Sequence, residues 1–551
     1  VRLALALAFA LVLPVVAGCL ASTSAPTTTN ASALLSQPLF NATKKEQALL
    51  PMADGVKLDN WVFRPDAPGQ FPVLIESRPY FGNADPPAKD GGQKFSKWLA
   101  EYFVPRGYVV VLHSVRGTGD SEGCYGQGGL IEQKDEAATV EAFAKMPYSN
   151  GNVAMIGKSY GGTTPWEAAV QAPPHLRTIV PIEGITDWYK YLFTHGVTIG
   201  SQVGFDATYL TEISYNMGAG VPQPSQTQIA NYPGKACQDT AQMQTSEESA
   251  HATGDKDAWW QERDYEAHVD AINKANVSVY LVHGFQDWNV KPDHVATIYN
   301  KITTEKRLVF GQQDHQYPLR ADWGEDLLRW FDHTLKGVDN GIEKTQPVML
   351  LDSAGVWHTE DSFPPARAVA TVVPLKFDQD SYVPTPASEA NDPTAGPDKL
   401  VWKGTPATAD VHVSGSPVLA FNATVAGANA QFIAALYDIN GSTWKPVDWA
   451  AIDARHLTDD TQSAPVTPGS TLGVKVALYP LDHDLAPGHA WGLVLTGAGG
   501  YWKVNDQASG SVVEGQVTVG GATLTFPVLP DFHAESPQPT MKKADDLPWT
   551  S

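Results

Sequence analysis

The sequence predicts an α/β fold, a parallel sheet covered on both faces, followed by an all-β half. Three observations carry this expectation. Compact apolar runs alternate with stretches of helical period through the first 340 residues or so. That rhythm is lost once, between about residues 188 and 265. Beyond about residue 345 short alternating strands with Gly and Pro punctuation take over.

In chain order, Leu3 to Val16 is an apolar run behind Arg2, followed by Ala17, Gly18 and Cys19. The run is short for a bilayer span but suits a secretory signal. Small residues before a cysteine predict a lipoprotein-type signal over residues 1–19 with Cys19 as the lipidated residue, which places the chain outside the cell, secreted or held on the outer membrane face. Residues 20–45, rich in Ser, Thr, Ala and Asn without apolar period, read as a flexible tether. Phe71 to Ile75, Tyr108 to Leu112, Val153 to Ile156, Thr178 to Ile182, Val277 to Val282 and Arg307 to Phe310 are buried-strand candidates. Glu132 to Lys145 and Thr163 to Gln171 have helical spacing. These place the α/β domain at 46–187 and 266–340, with 188–265 as a helical cap inserted over the carboxyl edge of the sheet; Ala258 to His268 forms its last helix. Residues 341–535 read as a β-sandwich, with strands at Gly473 to Tyr479 and Trp491 to Thr496 and a hairpin over Val517 to Leu524 turning at Gly520-Gly521. Residues 536–551 are a tail.

A net charge of −22 argues against nucleic acid as a partner. In an exported protein the two cysteines besides Cys19, Cys124 and Cys237, are candidates for one disulfide.

The chemistry sits in Gly157-Lys-Ser159-Tyr-Gly161, a G-x-S-x-G sequence between an apolar strand and a helix. This is the context of a nucleophile elbow, with Ser159 on a tight strand-to-helix turn at a helix amino end. A serine needs a base, and the base an orienting carboxylate. In an α/β-hydrolase they follow the serine in the order acid, then histidine, on loops after strands. Asp287 and His315 meet that requirement. His283, His294, His333 and His113, and Asp293 and Asp314, are weaker candidates by position. The oxyanion hole takes one donor from the Tyr160 N–H; the loop after an early strand, Ile75 to Tyr80, offers the Tyr80 phenol as a second. No metal-ligand spacing appears, and acyl transfer of this kind requires neither metal nor organic cofactor.

These pieces resemble the Xaa-Pro dipeptidyl-peptidases and their relatives, the cocaine esterases and α-amino-acid ester hydrolases. The resemblance rests on Arg78-Pro-Tyr80, Arg116-Gly-Thr-Gly-Asp-Ser-Glu-Gly123, Gly157-Lys-Ser-Tyr-Gly161, Trp260-Gln-Glu-Arg263, His283-Gly-Phe-Gln-Asp-Trp-Asn-Val290, His315 and Ala486-Pro-Gly-His-Ala-Trp-Gly-Leu-Val494. It implies an α/β-hydrolase core, a helical cap, a jelly-roll β-sandwich sealing the cleft, and the Tyr80 hydroxyl as second oxyanion donor. Within this group the resemblance is strongest to the Xaa-Pro dipeptidyl-peptidases, which implies a peptide substrate, with a small ester as the alternative. Trp188 and Trp288, with Tyr160, offer aromatic faces for a proline ring. A free substrate amine calls for a carboxylate, for which Glu183, Asp187 and Glu212 are candidates. A non-catalytic binding lipoprotein is the remaining alternative, and the oligomeric state is left open.

Overall fold

The computed structural model describes residues 35–81, 93–199, 250, 252–385, 388–499, 515–530, 532 and 547–549. Its strands begin with β1 (Thr43–Pro51), β2 (Lys57–Pro65), β3 (Phe71–Arg78), β4 (Val109–Ser114), β5 (Ser149–Lys158) and β6 (Leu176–Ile182). A small pair, β7 (Phe193–Thr194) and β8 (Val197–Thr198), precedes β9 (Ser278–Gly284), β10 (Lys306–Gly311), β11 (Val348–Leu351) and β12 (Trp357–Glu360). Apart from that small pair they form one ten-stranded sheet, ordered β1-β2-β4-β3-β5-β6-β9-β10-β11-β12. Every pairing from β4 to β11 is parallel.

The central strands read as near-continuous apolar runs because both faces are buried. Val73, Ile75, Val153, Met155, Val279 and Leu281 point into one core, and the alternate Leu74, Ala154, Ile156, Tyr280 and Val282 into another. The first core is closed by α2 (Leu130–Ala144) and α3 (Tyr160–Val170) through Val140, Phe143 and Trp166. The second is closed by α1 (Gln93–Phe103) and by the last helix of this domain, Trp323–Lys336, through Phe95, Leu99, Leu327 and Phe331. With both faces covered, only the carboxyl edge is open to carry a site.

The inserted region holds α4 (Trp188–Leu192), the β7–β8 pair and α5 (Ala258–Glu262). The single helix expected over Ala258 to His268 is instead broken: α5 ends at Glu262, and the Asp264 carboxylate caps a separate short turn by accepting from the Ala267 N–H. The domain continues through α6 (Val269–Ala275), α7 (Asp293–Lys301) and that last helix, α8 (Trp323–Lys336).

The all-β part consists, among the described residues, of a seven-stranded sheet facing a four-stranded one, with Leu419, Phe421, Leu436, Leu493 and Leu524 between them. Strands β11 and β12 lie past residue 341 yet belong to the first sheet, β11 pairing in parallel with β10. The hairpin expected at Gly520-Gly521 does not form. Val517–Leu529 is one strand, and the two glycines sit where its register with Val418–Val425 slips. The positive φ of 64° at Gly521 serves a bulge rather than a reversal.

The described residues nearest each chain end pack against the first domain. Leu35 is buried, the Ser36 N–H and hydroxyl donate to the Asp332 carboxylate at 2.7 and 2.6 Å, and β1 begins at Thr43. Asp332 is a buried acid that also accepts from the Tyr108 phenol, so it needs these donors. Near the other end, Trp549 lies edge-on to Trp98 and Trp323 at 5.2 and 5.3 Å, its indole N–H directed at the Pro318 carbonyl. Trp549→Ala is expected to lower stability by ~3 kcal/mol through the cavity left between the two tryptophans. An unchanged urea midpoint would show that the indole packs there without stabilising the fold.

Candidate active site

Backbone crowding sets the position of the nucleophile. Ser159 sits between β5 and α3 with φ 62° and ψ −124°, a conformation a serine adopts only when its surroundings impose it. A Cβ on Gly157 would lie 2.4 Å from the Gly161 carbonyl oxygen, and one on Gly162 would lie 2.4 Å from that of Ile182. The turn therefore closes only because these positions lack side chains. It presents Ser159 at the amino end of an eleven-residue helix whose first residue is Tyr160.

The other groups reach the same edge from neighbouring strands. Asp287 follows β9 and His315 follows β10. His315 Nε2 lies 2.9 Å from Ser159 Oγ, and His315 Nδ1 lies 2.8 Å from Asp287 Oδ2. The other oxygen of Asp287 accepts from the Asn289 and Val290 N–H groups, both at 2.9 Å. Burial alone would raise the pKa of Asp287, but His315 and the Val290 N–H overcome that and hold it below the ordinary carboxylate range. The Nδ1–H tautomer of His315, fixed by an ionised Asp287, leaves Nε2 free to accept the serine proton.

Two contacts of this site were not legible in the motif. The Lys158 ammonium, beside the nucleophile, donates to the His315 carbonyl at 2.8 Å and ties the histidine loop to the elbow. Glu183, following β6, places Oε2 3.4 Å from His315 Nδ1 and is fully buried. Burial first, and then the neighbouring Asp287 charge, push its pKa well above the ordinary carboxylate range. Glu183 thus lies behind the imidazole on the Asp287 side, which removes it as a candidate for a substrate amine. Asp187 is committed to the Lys256 ammonium at 2.6 Å and to capping α4, which leaves it poorly placed for that role. Glu212, the third candidate, lies outside the described residues.

Tyr80 emerges half-buried just past β3, the neighbour of β5, and so at the same edge as Ser159. The preceding Arg78 fixes that exit by pairing with Glu76 at 3.3 Å and donating to Ser96. Trp188 belongs to an aromatic wall: its ring is 5.7 Å from Tyr160 and 5.8 Å from Tyr191, and Tyr125 flanks Tyr160 at 5.8 Å. Trp288, next to Asp287, meets Trp449 and Tyr479 of the all-β part edge-on at 4.4 and 5.6 Å, which places it at the seam between the two parts. Among the weaker candidates, His283 is buried with Nε2 against the Val290 carbonyl, and His294 is buried against Thr186.

Behind the aromatic wall the Tyr160 phenol donates to Glu132, one of three buried glutamates with Glu136 and Glu167. Burial raises the pKa of each, that of Glu132 to about 7. A carboxyl whose folded pKa lies above its ordinary 4.5 stabilises the fold fully at pH values below 4.5, and that contribution is lost as pH rises through about 7. Glu132→Gln keeps an acceptor for Tyr160 and removes the titration. It is expected to flatten the decline of the urea midpoint between pH 4.5 and 7; a slope equal to that of the wild type would show that Glu132 does not hold its proton.

Cys124 is held in a disulfide. Cys237 and Cys19 lie outside the described residues. No helix of the described residues is long and apolar enough to cross a membrane.

Comparison with known proteins accounts for both halves of the chain. Residues 54–317 match the X-Pro dipeptidyl-peptidase (S15 family), and residues 340–517 match the X-Pro dipeptidyl-peptidase C-terminal non-catalytic domain. A putative Xaa-Pro dipeptidyl-peptidase of Bacillus anthracis is 25% identical over 85% of this chain and 83% of its own length. The Xaa-Pro dipeptidyl-peptidase of Lactiplantibacillus plantarum is 30% identical over 48% of this chain and 35% of its own. Among solved structures, a CocE/NonD family hydrolase from Staphylococcus aureus superposes with a TM-score of 0.69 over 89% of this chain and 93% of that one, at 17% identity. An α-amino acid ester hydrolase superposes with a TM-score of 0.66 over 92% of this chain and 100% of that one, at 21% identity. At these identities the structural likenesses speak for the fold.

Proposed function

We propose that this chain, which matches the X-Pro dipeptidyl-peptidase (S15 family) over residues 54–317 and the C-terminal non-catalytic domain of those enzymes over residues 340–517, is a serine hydrolase that releases Xaa-Pro dipeptides from peptide amino termini through an acyl-enzyme on Ser159. The observation that carries this reading is the continuous chain from Ser159 Oγ through His315 to Asp287 Oδ2, with links of 2.9 and 2.8 Å.

His315 Nε2 takes the Ser159 proton as Oγ bonds to the scissile carbonyl carbon. The carbonyl oxygen becomes an oxyanion facing the Tyr160 N–H and the Tyr80 hydroxyl. The imidazolium then gives its proton to the departing amine, the C–N bond breaks, and the acyl group stays on Ser159. Water, deprotonated by His315, attacks the ester and releases the dipeptide, returning the proton to Oγ. The aromatic wall of Tyr160, Trp188 and Tyr191, whose rings meet tilted and edge-on, supports proline recognition, since an aromatic face can bury a pyrrolidine ring without a polar partner.

Glycyl-prolyl anilide is expected to be cleaved by the wild type and not by Ser159→Ala. Asp287→Asn is expected to lower kcat about 10⁴-fold by fixing the wrong imidazole tautomer, and Tyr80→Phe about 10²-fold by removing one oxyanion donor. Turnover of p-nitrophenyl acetate without any anilide cleavage would make the enzyme an esterase of this fold.

We also propose that the enzyme is exported and anchored through Cys19. The apolar run before Ala17-Gly18-Cys19 and the Cys124 disulfide, suited to an oxidising compartment, support this, and Cys237 is the disulfide partner that an exported chain would use. Cys19→Ala should move the activity from the membrane to the soluble fraction of expressing cells; an unchanged distribution would rule out the anchor.

A further inference from the structure

Far from the serine, where the edge strand β12 of the hydrolase sheet meets the all-β part, three buried side chains converge. His358 comes from β12, His412 from the strand Val411–Gly415, and Asp482 from the strand Leu481–Leu485. Their relative exposures are 4, 3 and 1%. His358 Nε2 and His412 Nε2 approach the same atom, Asp482 Oδ1, at 3.2 and 3.0 Å, and all three donor atoms lie within 4.8 Å of one another. Ligands held roughly 2.0–2.1 Å from a tetrahedral ion lie about 3.3 Å apart, so the two N···O separations are close to that geometry.

The surroundings are those of metal ligands. The far nitrogen of each ring faces a carboxylate, His412 Nδ1 to Asp484 Oδ1 at 2.6 Å and His358 Nδ1 to Glu360 Oε1 at 3.5 Å. Such partners orient a ligating imidazole and fix its tautomer. The second oxygen of Asp482 accepts from the Ser414 hydroxyl at 2.5 Å, which leaves Oδ1 turned toward the two rings. Phe532 stacks on His412 at 3.8 Å and lies edge-on to His358 at 4.7 Å, shielding the cluster with an apolar ring.

We propose that His358 Nε2, His412 Nε2 and Asp482 Oδ1 form a binding site for a zinc-class divalent cation that clamps the all-β domain to the hydrolase sheet. Two imidazole nitrogens and one carboxylate oxygen are the donors of zinc, cobalt or nickel rather than of calcium or magnesium. No sequence spacing announces the site, because its ligands come from three strands on two domains. In the absence of the cation the cluster is an ion-pair network: burial alone would lower the two imidazole pKa values, but the Asp482, Glu360 and Asp484 carboxylates raise both to about 9.

The proposal is independent of the substrate reading, and its test uses the full-length chain. After dialysis against a chelator, titration with Zn²⁺ in a calorimeter is expected to show one equivalent bound, retained in His315→Gln and therefore not at the catalytic histidine. Affinity is expected to fall at least 10-fold in His412→Gln and roughly 10-fold in Asp484→Asn, which removes an orienting carboxylate. The melting temperature of the wild type should rise by on the order of 5 °C with saturating Zn²⁺. Fluorophosphonate labelling of Ser159 reports whether His412→Gln and Asp484→Asn are folded, and circular dichroism does so for His315→Gln, which lacks the base that activates the serine. Should His412→Gln not fold, X-ray absorption of the Zn²⁺-loaded wild type decides, since fewer than two imidazole ligands would overturn the assignment. No uptake at 50 µM Zn²⁺, or uptake unchanged in a folded His412→Gln, would also overturn it.

Discussion

The structure depends on one steric constraint, the meeting of β5, α3 and the loop after β6 closer than any Cβ permits. A Cβ on Gly184 would stand 2.2 Å from the Gly162 carbonyl oxygen, and Gly157 meets Gly161 nearly as closely. That approach turns the chain sharply at Ser159 and leaves its hydroxyl at the carboxyl edge, at the start of a helix. It also fixes where everything else must be. With β6 on one side of β5 and β3 on the other, only loops after these strands and after β9 and β10 can reach Oγ. Tyr80, Glu183, Asp287 and His315 come from those four loops.

A nucleophile held in a strained turn needs rigid surroundings, and two polar layers supply them. Behind the elbow, Tyr160, Glu132 and Glu167 form a buried network that Tyr265 joins by donating to the Gly128 carbonyl. Beneath the inserted region, Lys256 bridges Asp187 and Asp264 at 2.6 and 2.7 Å, while Lys190 and Thr186 both hold Glu266. Arg263 stacks over Trp259 at 3.7 Å and donates to the Gly126 and Gln127 carbonyls, joining the insertion to the loop before α2. Groups so deeply buried are tolerated because they are paired, and removing one partner leaves the other charged or unsatisfied in a dry interior. The layers therefore fix the insertion against the sheet without adding much net stability.

The parts legible in the sequence were those governed by local pattern. Strand runs buried on both faces, helical spacing in α2, and the strand–Gly-x-Ser-x-Gly–helix context each express a periodicity or a turn that a few adjacent residues determine. Chain order then sufficed to select Asp287 and His315, because a parallel sheet brings only post-strand loops to the edge. What could not be read depends on partners hundreds of residues away. Ser36 is held by Asp332, Trp549 by Trp98 and Trp323, and Trp288 packs on Trp449 and Tyr479 of the all-β part. Gly520-Gly521 has the composition of a hairpin turn, but pairing along the whole of Val418–Val425 outweighs it. Glu183 was visible as an acid near the site, yet nothing local tells which side of the imidazole it occupies.

That side matters for the charge of the site. Asp287 and Glu183 both bring a carboxyl oxygen within 3.4 Å of His315 Nδ1, inside a medium where two adjacent negative charges are costly. The surroundings treat the two differently. Asp287 faces His315 and receives two backbone N–H groups on the oxygen that His315 leaves free, which hold its pKa down. Burial and the Asp287 charge push the pKa of Glu183 up, although the Gln316 N–H bonds to it. A doubled charge would stabilise the imidazolium so far that it would release its proton reluctantly to the leaving amine, stalling the second half of acyl transfer. The raised pKa of Glu183 works against that second charge, so the buried acid can fill the space behind Asp287 while adding less to the field there.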